Sequence, residues 1–133
     1  RFVAMGEWIH LPPTPDSVAA ARRWSTDLVV PVDGPALADT VALLVSELVS
    51  NVVLHARTSC DVCFERTGTD LRVEVHDGSD RLPTSSAHAE PLAHSGRGMV
   101  LVEAMSDAHG VDPLEGGGKS VWFELRLPAG PTG

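Results

Sequence analysis

The chain of 133 residues is 43% apolar and carries a formal net charge of −8. That length suits one domain around one core, residues 6–127, with a tail at 128–133. The acidic balance argues against nucleic acid, because neutralising phosphates takes a basic patch. No apolar run reads as a membrane-spanning helix, which takes about 18 or more residues. The opening on Arg1 rather than Met reads as a trimmed chain or a domain of something longer.

Residues 6–11 alternate enough to form a first strand, closed by Pro12 and Pro13. Thr14-Pro15-Asp16 then has the chemistry of a helix start: a capping hydroxyl, proline at the first helical position and an acid in the first turn. That helix is expected to run to about Val29, with Val18, Ala21, Trp24 or Ser25, and Leu28 facing inward. Pro31 is expected to break it. Asp33-Gly34-Pro35 opens a second, longer helix reaching about Ala56.

Within this second helix Glu47, Asn51 and His55 recur every four residues, so they stack on one helical face. Their neighbours Val41, Leu43, Leu44, Val45, Leu48, Val49, Val52, Val53 and Leu54 leave no generous polar side. A helix apolar nearly all round is buried, and buried carboxylates and amides need partners. The stripe is either internally paired or a site for a cation and a reacting group. His55 either extends it or closes the helix.

Two strands follow, at 59–66 and at 71–75 running into His76 and Asp77, joined by a turn at Thr67-Gly68-Thr69-Asp70. Residues 80–95 lack periodicity and read as a mobile loop that ends in Gly96-Arg97-Gly98. A short apolar helix is expected over 99–105, a strand over 111–114 and a last strand over 120–127. The order β-α-α-β-β-loop-α-β-β groups the helices apart from a strand run. It predicts an α+β two-layer sandwich, a mostly antiparallel sheet covered on one face by helices.

Three local motifs are weak. Gly118-Lys119-Ser120 ends like a P-loop, but Pro113 stands where the earlier glycine is needed, and Val121-Trp122-Phe123-Glu124-Leu125 is a strand rather than a helix. Gly96 and Gly98 lack both the third glycine of a dinucleotide fingerprint, with Leu101 in its place, and the preceding strand. Glycines ahead of a helix still offer bare N–H groups to a phosphate. Cys60 and Cys63 form a C-x-x-C inside a strand, where residues three apart face opposite sides, so they are expected as free thiols in a reducing cytoplasm.

The joint pattern is more specific. Glu47-Leu48-Val49-Ser50-Asn51, Val75-His76-Asp77-Gly78-Ser79, Gly96-Arg97-Gly98-Met99-Val100-Leu101-Val102 and Gly118-Lys119-Ser120-Val121-Trp122-Phe123-Glu124-Leu125 resemble the N, G1, G2 and G3 boxes of the GHKL, or Bergerat-fold, ATPases. The compact length resembles the bacterial anti-sigma-factor serine/threonine kinases. That resemblance implies ATP and Mg²⁺ as cofactors, with Asn51 as the metal ligand and Glu47 as the catalytic base. It implies that Asp77, with Gly78, reads the adenine amino group, and that Gly96, Arg97, Gly98 and Met99 form the lid hinge and phosphate seat. Ser120 falls where members place a hydroxyl near the adenine. On charge grounds alone Arg97 and Lys119 are either phosphate contacts or solvated side chains. Ser79 departs from the family's glycine and is expected to reshape adenine binding. The resemblance further implies a sigma factor and an anti-anti-sigma factor as protein partners and a homodimer, while the charge and the lack of a long apolar run point to neither nucleic acid nor membrane. Two alternatives stand beside the kinase: an ATP-binding module of a larger phosphatase or sensor, and a non-catalytic partner-binding protein with a decayed pocket.

Overall fold

The computed structural model describes residues 6–80 and 94–128, with only the backbone given for 94–98. Residues 81–93, including Arg81 and most of the expected loop, and the tail at 129–133 lie outside the described residues. The elements are β1 (Glu7–Leu11), α1 (Asp16–Asp33), α2 (Pro35–Asn51), β2 (Cys60–Arg66), β3 (Asp70–Asp77), α3 (His94–Met105), β4 (Ala108–Pro113) and β5 (Lys119–Arg126). A wide π-helical turn, Val52–Ala56, continues α2.

The five strands form one antiparallel sheet in the order β1-β2-β3-β5-β4. Period-two alternation turns Val62, Phe64, Leu71, Val73, Val75, Val121, Phe123 and Leu125 toward the helices. There they join Ala21 and Val29 of α1, and Val41, Leu44, Val45, Leu48 and Val49 of α2, in a single core. The architecture is the expected α+β sandwich, with α2 central and packed against both α1 and α3.

Four local expectations need correction. Pro31 does not break α1, which continues to Asp33. A proline in the last turn removes one hydrogen bond but leaves the rest of the ladder intact. The stop comes instead at Gly34, whose φ of +91° suits glycine and whose N–H reaches Val30 O at 3.0 Å. Thr14 does not cap α1 by its hydroxyl; its carbonyl accepts Ser17 N–H, while Ser17 Oγ donates to Pro12 O at 2.6 Å. Helix α3 begins at His94, so Gly96-Arg97-Gly98 belong to its first turns rather than to the end of a loop. Finally, Pro35–Ala56, at 22 residues and mean hydropathy 1.7, is long and apolar enough to span a bilayer. Half of it is buried inside the protein, and its apolar sides are taken by α1, α3 and the sheet. It is the core helix.

The sheet face turned away from the helices is closed by a polar network. Glu74 is almost wholly buried there and receives Arg72 Nε at 2.7 Å, with His76 Nε2 at 2.8 Å and Ser120 Oγ at 3.3 Å. Arg72 also donates to Glu124 at 2.8 Å, and its guanidinium stacks 4.0 Å over the Trp122 ring. Trp122 lies across Gly110, where any β-carbon would sit 2.7 Å from the indole. Trp8 meets His76 edge-on at 5.4 Å. Burial would raise the Glu74 carboxyl, but hydrogen bonds from His76 and Arg72 outweigh it and hold the pKa below the ordinary glutamate value.

Candidate functional site

Connectivity brings the end of α2 and three strand ends together. Helix α2 leads through the π-helical turn and a three-residue link into the start of β2. The register pairs that start with the end of β3 (Cys60 with Asp77) and the end of β3 with the start of β5 (Asp77 with Lys119). Helix α3 ends two residues before β4, at the far end of the sheet, so its N-terminus points back toward Asp77. Asn51, Asp77, Lys119 and the first turn of α3 therefore share one end of the sandwich.

Asn51 has both carboxamide atoms buried with no hydrogen-bond partner among the described residues. A buried amide left unsatisfied costs about 1–3 kcal/mol, so it marks either a strain point or a waiting ligand. Glu47, half-buried, lies one turn earlier on the same face, about 6 Å along the helix axis. His55 does not continue the stripe: the π-helical turn adds a residue to the turn after Asn51, and His55 is exposed. Wide turns of this kind often sit beside functional residues. Here Arg57 ends the turn in a left-handed conformation, φ +57°, its N–H on Val52 O at 2.7 Å.

Asp77 faces the helix layer and is 6% exposed. Its carboxylate lies 3.0 Å from Lys119 Nζ through each oxygen and accepts Ser79 N–H at 2.8 Å. Lys119, also 6% exposed, donates to Ser79 O at 3.3 Å as well. Lys119 is thus the buried partner of Asp77 and not a solvated side chain. The glycines ahead of it are needed for this approach. Gly118 has φ +85°, a β-carbon on it would fall 2.2 Å from Asp77 O, and its N–H donates to Asp80 at 2.9 Å.

Gly78 N–H donates to Thr58 Oγ1 at 3.0 Å, tying the end of β3 to the link after α2. Met99 is buried in the hydrophobic core, so its side chain serves packing. Gly96 lies in the first turn of α3, where the leading backbone N–H groups have no intrahelical acceptor; Arg97 and Gly98 follow it, their N–H groups within the helical ladder. Ser120 is a correction: the strand alternation that turns Lys119 inward turns Ser120 to the opposite face, onto Glu74. Thr58, Asp80 and Cys60 were not foreseen. The Cys60 thiol, pushed up to about 12 by burial and by Asp61 and Asp77, stays protonated. Cys60 and Cys63 form no disulfide and point to opposite faces.

Among the described residues no three His, Cys, Asp or Glu side chains gather to hold a metal. The Asn51 carbonyl oxygen is a hard ligand with nothing to satisfy it, which suits a magnesium ion whose other ligands are phosphate oxygens and water. Residues 11–125 match the histidine kinase-like ATPase domain, and the chain belongs to that family. The fold is the GHKL ATP-binding fold. No curated protein matches the chain.

Proposed function

We propose that this domain binds Mg-ATP and acts as a serine/threonine protein kinase of the anti-sigma type. It would hold a sigma factor and phosphorylate an anti-anti-sigma partner on serine. The observation that carries this reading is the unsatisfied, buried Asn51 carboxamide one turn beyond Glu47. A purely structural polar stripe would have closed its own hydrogen bonds.

Asn51 Oδ1 would hold Mg²⁺, whose chemistry is to neutralise the charge of the phosphates. Glu47 would orient the partner's serine hydroxyl and take its proton as the serine oxygen bonds to the γ-phosphorus and ADP departs. Asp77 accepts a hydrogen bond from the base. The first turn of α3, up to Gly96, offers its leading N–H groups to phosphate, with Arg97 and Gly98 next in the helix.

The test is incubation with labelled Mg-ATP and a candidate anti-anti-sigma protein, followed by mapping of the modified residue. Label on a partner serine, lost in Glu47→Gln, is the expected result. One observation favours a second reading: Asp77 is already engaged by Lys119, as in a non-catalytic partner-binding protein with a decayed pocket. Absence of saturable binding at millimolar Mg-ATP would establish that reading. Saturable binding without transfer to any partner would point to a regulatory module of a larger phosphatase or sensor.

A further inference from the structure

We infer that Lys119 is a second base-reading residue, and that its pairing with Asp77 lets the pocket take a 6-oxopurine nucleoside triphosphate as well as a 6-aminopurine one. This rests on the reading of Asp77 as the residue that meets the base. A lone carboxylate only accepts hydrogen bonds. It suits the exocyclic amine of adenine and repels the O6 carbonyl of hypoxanthine or guanine, which is itself an acceptor. Beside Asp77, however, stands an ammonium group, which only donates. The two are 3.0 Å apart, both buried, and both on the helix-facing side of the sheet.

A paired acceptor and donor matches either purine edge. Adenine presents a 6-amino donor beside the N1 acceptor; hypoxanthine presents an O6 acceptor beside an N1–H donor. The first edge meets Asp77 with its amine and Lys119 with N1. The second meets Lys119 with O6 and Asp77 with N1–H. Room for these bonds exists on both partners. An ionised carboxylate has about four acceptor positions, of which Lys119 and Ser79 N–H use at most three. On Lys119, the bond to Ser79 O is the longest at 3.3 Å and is the one a base oxygen or nitrogen would replace. The inward direction of Lys119 is fixed by the backbone, since Gly118 holds the start of β5 against Asp77 O at a distance no side chain allows.

The probe pair is Mg-ATP and Mg-ITP, which differ only at the purine 6-position and the N1 proton, titrated calorimetrically. For the unaltered protein the two dissociation constants are expected within about ten-fold of each other, because both edges find a donor and an acceptor. In Lys119→Met the ratio should move against ITP by at least about ten-fold, as O6 then faces an unrelieved carboxylate. Because that variant leaves Asp77 unpaired, Lys119→Arg, which keeps a donor, is run beside it, and circular dichroism and melting confirm that both fold. Lys119→Arg should retain ITP binding. If ATP saturates the protein but ITP does not, or if Lys119→Met leaves the ATP-to-ITP ratio unchanged, the role of Lys119 is refuted while the ATP site stands. If neither nucleotide binds, both that role and the proposed function fall.

Discussion

Asn51 is the residue at which stability and ligand chemistry pull apart. Its carboxamide is buried without a partner, so an apolar side chain of similar shape should suit the ligand-free protein better. Asn51→Leu is expected to raise the denaturant midpoint of the free protein by the equivalent of about 1 kcal/mol while removing Mg²⁺-dependent nucleotide affinity. A lower midpoint would mean that Asn51 has a structural partner instead. Glu47→Gln keeps shape and loses basicity. Phosphoryl transfer should fall by about 10²–10⁴-fold with the ATP dissociation constant little changed, as read by single-turnover kinetics and calorimetry. The spacing of Glu47 and Asn51 was legible in the sequence because helical periodicity survives without tertiary information. The partner of Asp77 was not. Whether Lys119 or Ser120 faces the helices depends on strand register, and a shift of one residue exchanges their faces.

At the level of elements, the last hairpin depends on Gly118. Its positive φ and its approach to Asp77 O make Gly118→Ala costly twice, by backbone strain and by steric overlap. A loss of about 2–4 kcal/mol in chemical unfolding is expected, together with a displaced Lys119. A near-neutral effect would show that β5 can start elsewhere. The strands were readable from alternation and turn chemistry, down to β2, β3 and β5 within a residue or two. Helix ends were not. Pro31 signals a break, yet it falls where only one hydrogen bond is lost, and Gly34 does the stopping. The start of α3 was hidden because glycines 96 and 98 disfavour a helix interior locally. The helix rests on packing through Met99 and Val102.

For the whole molecule, the α+β class followed from the order of the elements, whereas the buried charges on the helix-free sheet face left no sequence signal. Nothing in the sequence marks Arg72 and Glu74 as buried; in the fold the Arg72 guanidinium stacks on Trp122 and His76 meets Trp8. That network sets an acid limit on the fold. The Glu74 pKa is lower folded than unfolded, so its contribution is complete above the unfolded value, about 4.5, and is lost as the pH falls through the folded one. The stability gap between the native protein and Glu74→Gln, which breaks the network at neutral pH, should therefore narrow below about pH 4.5. Urea midpoints measured from pH 7 to 3 check this, and a constant gap would show that the carboxylate is not ionised against Arg72.

The run Gly116-Gly117-Gly118 carries φ values of +86°, +108° and +85°, a stretch of backbone whose handedness is the mirror image of what L-residues prefer. Gly116 and Gly117 have open space around them. A semisynthetic protein with D-alanine at either position would take this shape readily, and by restricting the unfolded chain should gain about 0.4–1 kcal/mol. L-alanine at the same atoms should lose stability, so inverting one stereocentre reverses the sign.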